Sequence, residues 1–171
     1  MYHLDLVRWL AGQDIDSVSA EIATIGPRES AEDSALVSVT FADGAMGQLF
    51  LSHTTSLPVG HHMQRVEVYG TTGSAWASPA TQSPVMRVFV ESAADPALLG
   101  MTDIRVPETD PWTRTIEHFV TCIRDGATPL TTFDDGRRAM QAVLASYRSA
   151  AEGRRVRLCE ISSECAMPAA A

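Results

Sequence analysis

The chain has 171 residues, 45% of them hydrophobic, and 21 acidic side chains against 13 basic ones, for a net charge of −8. That length suits one domain with its own core, and that charge disfavours nucleic-acid binding by phosphate neutralisation. All the basic residues are arginine, so this chain has no lysine for a Schiff base, a P-loop or general acid catalysis.

The first dozen residues, Met1 to Gly12, predict a helix. Leu4, Leu6, Val7, Trp9 and Leu10 recur at steps of three and four. His3, Asp5 and Arg8 are its polar members, and Gly12 sits where a left-handed cap belongs. This helix starts with no upstream cap and no preceding strand, as the second half of a larger protein would. An acid inside it argues against a signal peptide, and no apolar run has membrane-spanning length. Cys122, Cys159 and Cys165 form no CxxC pair and leave one thiol over, which predicts a reducing, cytoplasmic setting.

From Ile15 to Ile25 the chain alternates, Val18, Ala20 and Ile22 against Ser17, Ser19 and Glu21, the pattern of a strand with one wet face. Pro27 marks a loop from Gly26 to Asp33. Ala35, Val37, Val39 and Phe41 alternate next, and Asp43-Gly44 predicts a type I′ turn into a return strand over about Met46 to His53. A loop over Leu57 to His62 follows, then strands at Gln64–Gly70, Val85–Glu91 and Thr102–Val106, with Ser92 to Gly100 as a loop. Gly70 and Gly73 are expected to supply unusual backbone angles in a tight turn between two strands.

Asp110-Pro111 gives an N-cap and first helical residue. Ile116, Phe119, Val120 and Ile123 form the apolar stripe of that helix, and Gly126 ends it. A third helix follows Phe133-Asp134-Asp135, with Met140, Val143, Leu144 and Tyr147 at helical spacing and Gly153 as its stop. Arg155 to Cys159 reads as a last strand. Consecutive strands with segregated helices define an α+β class: an open, predominantly antiparallel sheet of about six or seven strands with helices packed on one face.

Several phrases in this chain resemble those of the Gfo/Idh/MocA oxidoreductase family, and of its C-terminal domain only. Asp5, Leu6, Arg8, Trp9, Leu10 and Gly12 fall on His-x-x-Asp-Leu-x-Arg-Trp-Leu-x-Gly, the opening of the helix that joins the family's two domains. The hairpin Asp43-Gly44-Ala45-x-Gly47-Gln48-Leu49, the turn Val66-Glu67-Val68-Tyr69-Gly70-Thr71-x-Gly73-Ser74, and the closing signature from Asp135 to Leu158 are also similar. The resemblance implies a C-terminal substrate and oligomerisation domain over residues 1–159, a flexible tail over 160–171, and no N-terminal Rossmann domain. It implies NAD or NADP as cofactor of the whole enzyme, a sugar, polyol or related hydroxy compound as substrate, and a homo-oligomer built through the sheet face. Nucleotide is not expected to bind this chain alone, because Gly-x-Gly-x-x-Gly occurs nowhere in it.

The family's catalytic His lies three residues before the Asp. Here that place holds Tyr2, and His3 stands one position late. Either Tyr2 replaces the His, or His3 reaches its place through a shift at the helix start, or both simply pack there. An imidazole near pKa 6.5 suits proton transfer better than a phenol near 10. Asp5 is expected to brace the helix, and no role is assigned to Arg8 beyond pairing with an acid.

Metal chemistry has weaker support. His61-His62 lack a third ligand at a standard spacing, although a mononuclear site using His53, His61 and His62 is an alternative. His118 and Cys122 stand at i, i+4 with no partner pair, so Cys122 is expected buried and His118 half-exposed. Asp134-Asp135 reads as charge favoured by a helix N-terminus, and Ser146 and Ser149 lack a nucleophile-elbow context. Gly70-Thr71-Thr72-Gly73 is a turn rather than a phosphate cradle, since no helix follows it. A further alternative is a stand-alone assembly or binding module without catalysis.

Overall fold

A single glycine ends each of the three α-helices in the computed structural model, which describes residues 1–26, 31–56, 64–78, 85–92, 96, 99–107 and 109–162. In chain order the elements are α1 (Tyr2–Ala11), β1 (Ile15–Ala23), β2 (Ser34–Phe41), β3 (Met46–Ser52), β4 (Val66–Tyr69), β5 (Gly73–Ala77), β6 (Val85–Val90), β7 (Gly100–Arg105), α2 (Pro111–Asp125), α3 (Phe133–Glu152) and β8 (Val156–Arg157). A 3-10 turn at Leu158–Glu160 stands where the sequence predicted a longer last strand. Gly12, Gly126 and Gly153 all adopt the left-handed conformation just past a helix, with φ of 66°, 66° and 63°. Asp110 caps α2 as expected, accepting from the Trp112 and Thr113 N–H groups at 3.0 and 3.4 Å. The cap of α3 is Thr132, in a reciprocal box with Asp135.

The α+β, antiparallel architecture stands. Among the described residues the strands number eight and fall into two four-stranded antiparallel sheets, β3-β2-β1-β8 and β4-β5-β6-β7. The chain divides accordingly into two compact units, Met1–Thr55 with Thr128–Ala171, and Ser56–Ala127.

In the first unit the alternation predicted for β1 and β2 sets the register. Val18 pairs with Val39, Ala20 with Val37, and Ile22 with Ala35. That inner face, with Phe41, Leu49 and Val156, packs on Leu4 of α1 and on Ala142 and Ala145 of α3. Each fully buried Val, Leu or Phe contributes roughly 1.5–3 kcal/mol of transfer free energy. A bulge between Ile15 and Ser17 shifts the start of β1, so Ser17 is buried on the side where alternation alone put water.

Helix α3 meets the sheet with a different face from the one its large apolar residues predicted. Ala139, Ala142, Ala145, Ser146 and Ser149 are buried, whereas Met140, Leu144 and Tyr147 are exposed. Small side chains let the helix backbone approach the sheet closely, and two hydroxyls then substitute for backbone partners. Ser149 Oγ accepts the Ala20 N–H of β1 at 3.0 Å and donates to the Arg154 carbonyl at 2.6 Å. Ser146 Oγ donates to the Ala142 carbonyl one turn back at 2.8 Å.

The hairpin at Asp43-Gly44 is present but is not a type I′ turn. Only Gly44 has positive φ, at 90°, and no described non-glycine residue does. Gly44 N–H donates to the Phe41 carbonyl at 3.0 Å, Phe41 N–H to Ala45 at 2.8 Å, and Asp43 Oδ1 accepts from the Ala45 N–H at 2.8 Å. This is a type I turn followed by a left-handed glycine, the three-residue alternative to a type I′ loop. The connection before β2 is held by Asp33, a buried carboxylate accepting the Ile25 and Gly26 N–H groups at 3.0 and 2.7 Å.

In the second unit, β4 and β5 form the predicted tight turn, closed by the Gly70 N–H on the Gly73 carbonyl at 2.8 Å. Neither glycine has a positive φ. Gly73 is needed for a different reason: a Cβ there would lie 2.3 Å from the Phe89 carbonyl oxygen of β6. The predicted stripe of α2 forms, but Ile116, Phe119, Val120 and Ile123 are all more than half exposed, and Cys122 is the buried residue of that helix.

Candidate functional site

The first turn of α1 carries both residues singled out from sequence. Tyr2 is 66% exposed and His3 half-buried. Their rings meet edge to face, with centroids 5.1 Å apart and an interplanar angle of 82°. Burial first, and the positive chain terminus second, push the His3 imidazole below its ordinary value. It is therefore neutral at pH 7, with one ring nitrogen able to accept a proton. A step of one residue turns a side chain by about 100° around a helix, so Tyr2 and His3 face different directions.

What holds this turn in place is a charged cluster that sequence reasoning missed. The Arg8 guanidinium reaches three carboxylates: Asp135 at the start of α3, Asp14 at 3.2 Å just beyond α1, and Asp5 at 3.4 Å in its own helix. Arg138 of α3 also grips Asp14, and bonds Asp134 at 2.6 Å. Asp5 thus braces the helix, as expected, and Asp134 and Asp135 occupy the first turn of α3, also as expected. Burial opposes the charge of Arg8, but its bonds to Asp135, Asp14 and Asp5 outweigh that and hold it more firmly protonated. The Thr132 hydroxyl and N–H, and then Arg8, hold the Asp135 carboxyl far below the usual carboxylate range. The available signal was the doublet Asp134-Asp135 spaced against Arg137-Arg138, but no sequence rule places Arg8 beside it.

Other candidates separate from this site. His53 is exposed, and His61 and His62 lie outside the described residues. Among the described residues no three His, Cys, Asp or Glu side chains come together as a metal site. Cys122 is a buried free thiol whose sulfur lies 3.5 Å from His118 Nε2, as the i, i+4 spacing implied. Ser146 and Ser149 are engaged in structural bonds. Gly70 to Gly73 is a hairpin whose Thr72 carbonyl accepts the Glu91 N–H at 3.0 Å, and no helix N-terminus opens there.

The first unit is thus a helix leading into an antiparallel sheet, with α1 and α3 packed on one face and the first turn of α1 pinned through Arg8. The pattern of the oxidoreductase family's C-terminal alpha/beta domain matches residues 1–158, and this chain belongs to that Gfo/Idh/MocA family. It is similar to the scyllo-inositol 2-dehydrogenase (NAD(+)) of Bacillus subtilis, 28% identical over 162 residues, covering 92% of this chain and 46% of that protein. Among solved structures it resembles the aldose-aldose oxidoreductase of Caulobacter crescentus complexed with glycerol, with a TM-score of 0.75, 25% identity, and 91% and 45% of the two chains covered. An oxidoreductase of Agrobacterium radiobacter in complex with NAD+, L-tartaric acid and magnesium shares the fold, with a TM-score of 0.77 at 24% identity over 92% and 47% of the chains. The chain spans about half the length of the curated relatives it matches.

Proposed function

We propose that this chain is the substrate-side half of an NAD(P)-dependent oxidoreductase acting on a sugar, polyol or related hydroxy compound. Residues 1–159 form its substrate and oligomerisation domain, with a short tail after them. The observation that carries this reading is the match of residues 1–158 to the family's C-terminal domain, in a chain about half as long as its relatives.

We assign no dinucleotide site to this chain. The Gly-rich stretch is a β-hairpin with its backbone groups already engaged, and no helix N-terminus faces it. Nucleotide therefore belongs to a Rossmann half, in cis or in trans, and no redox step is assigned to this chain. Its own part is to position the substrate alcohol and handle its proton. The proposed group is Tyr2, three residues before Asp5 and exposed on α1, with His3 beside it as the alternative. Arg8 positions both by fixing the helix they stand on.

Assembly is assigned to the outer face of the β3-β2-β1-β8 sheet, where Leu36 and Phe50 are cross-strand partners and Met46 is 82% exposed. The working location is the cytoplasm; no helix among the described residues is long and apolar enough to cross a membrane.

Isothermal titration of the 171-residue chain with NAD and NADP tests the division of labour. No heat of binding is expected from either nucleotide. Micromolar binding by this chain alone would overturn it.

A further inference from the structure

Strand β1 is paired along its whole length on one side only. On that side β2 accompanies it from Ile15 to Ala23, and on the other β8 pairs with Ser17 and Val18 alone. The N–H and C=O groups of successive residues in a strand point to alternate edges. Val18 faces β8, and the Ala20 N–H faces Ser149 Oγ. The same edge next presents the Ala20 C=O, the N–H and C=O of Ile22, and the Thr24 N–H. None of these four groups has a partner among the described residues. Such an edge is a template for a further strand. From Ser19 to Ala23 it carries no proline, no lysine and no bulge to blunt it. The space beside it is preformed: a groove of about 420 Å³ lies along this stretch, lined by Ala20, Ile22, Leu36, Ala150 and Gly153 together with the charged Glu21. Glu21 is exposed and has no ion pair among the described residues.

We propose that the open edge of β1 takes up an extended segment of another protein as an added strand in line with β8, apolar on one face and cationic on the other. The backbone groups identify the occupant. Donors and acceptors alternating at strand spacing are what a peptide main chain matches, and the groove beside them then selects side chains. Successive side chains of the added strand fall alternately over Ala150 and Gly153, where small apolar groups fit, and beside Glu21, where a cation does. The net charge of −8 adds to that preference. This surface does not depend on the redox reading above.

The probe is the capped peptide acetyl-Thr-Val-Arg-Val-Thr-amide, with both valines on one face and the arginine on the other. Amide exchange of the 171-residue chain is followed with and without peptide at about 1 mM. Exchange at Ile22 and Thr24 is expected to slow at least about threefold, with Val37 and Val39 in mid-sheet unchanged. A smaller effect at Ile22 overturns the proposal. Two N-methylated peptides separate backbone pairing from apolar contact. Methylation of the Thr and Arg amides blocks one edge of the peptide, and methylation of the Val amides blocks the other. One pattern should abolish the slowing and the other keep it; equal behaviour of the two overturns the proposal. Glu21→Gln is expected to weaken the peptide about two- to fivefold, and an unchanged affinity removes the cationic face and with it the proposed occupant. Ile22 already protected in the chain alone, with a mass that halves on dilution, assigns the edge to a second copy and overturns the proposal as well.

Discussion

Arg8 of α1 and Asp135 of α3, 127 residues apart in sequence, are joined side chain to side chain, and Asp135 simultaneously completes the N-terminal cap of its own helix. One carboxylate thus ties the roll of the first helix to the start of the third. Arg8→Met is expected to lower Tm by roughly 5 °C and to loosen α1. Arg8→Lys should recover only part of this, because an ammonium cannot serve three carboxylates in the planar fork of a guanidinium. In the double variant with Asp135→Asn, the second substitution should cost little beyond the first. Thermal melts of the parent, the three single variants and the double variant check this; additive losses would mean the pair does not act as one unit.

The cluster also fixes a pH dependence. Asp135, Asp33 and Glu160 all have carboxyl groups held below their ordinary values: Asp135 first by Thr132, Asp33 first by the Ile25 N–H, and Glu160 first by Arg154, which takes part in bringing it down to about 2. A depressed carboxyl contributes stability that is fully present above its unfolded pKa, about 4, and is lost as pH falls through the folded value. Stability should be flat from pH 8 to about 7 and fall most steeply from about 5 down to 2. His3, lowered by burial, adds a small loss beginning near pH 6.5, because the unfolded chain takes up its proton first. Urea unfolding across pH 2–8 measures the slope. Asp135→Asn should flatten the acid limb while lowering stability at pH 7.

How far these relationships were legible in sequence depends on their range. Gly12, Asp110, Gly126 and Gly153 act within one turn of a helix, and each stands where local rules put it. The alternation of β1 and β2 is likewise local, and gave the core of the first sheet. The failures are long-range or concern choices between local options. The packed face of α3 is small rather than large, and the close approach brings Ser149 Oγ within 3.0 Å of the Ala20 N–H of β1. Gly44 adopts positive φ without Asp43 doing so, a distinction between two turn types that share one dipeptide preference. At the candidate site, Tyr2 and His3 were visible through their spacing to Asp5, whereas the Arg8 clamp, spanning 127 residues, was not.

Ser149 offers a sharp test of the small-residue interface. It is 1% exposed and serves one buried donor and one acceptor. Ser149→Ala removes few atoms, so cavity formation is minor, but it leaves the Ala20 N–H of a central strand unpaired. A loss of roughly 1–3 kcal/mol is expected, read by denaturant unfolding, with amide exchange at Ala20 accelerated more than at its neighbours. A loss below about 0.5 kcal/mol would mean water replaces the hydroxyl.

Gly73→Ala probes the second unit. The new Cβ would meet the Phe89 carbonyl oxygen at 2.3 Å, and a backbone atom cannot swing aside as a side chain can. Either β5 and β6 separate or the strand bends, at a cost of about 3 kcal/mol or more. Hydrogen exchange should rise across Gly73–Ala77 and Val85–Val90 while the core of the first unit, around Val18 and Val39, is unaffected. Equal loss of protection in both would show that the two units unfold as one.

The assignment of the proton-handling residue is decided by comparing Tyr2→Phe with His3→Asn in a protein joined to a nucleotide-binding half that turns over a polyol. Phe keeps the ring and its edge-on contact with His3 but has no hydroxyl, so the helix start is preserved and only proton transfer is removed. If Tyr2 carries the proton, Tyr2→Phe should lower kcat by about 10²- to 10⁴-fold with little change in KM, and His3→Asn should cost less than about tenfold. The pH profile adds a second criterion. Were His3 the base, its limb in kcat/KM would lie below 6.5, the direction in which burial moves its imidazole, and would vanish in His3→Asn. A profile that keeps this limb in His3→Asn and loses activity in Tyr2→Phe assigns the step to the phenol; the reverse pattern assigns it to the imidazole one residue later.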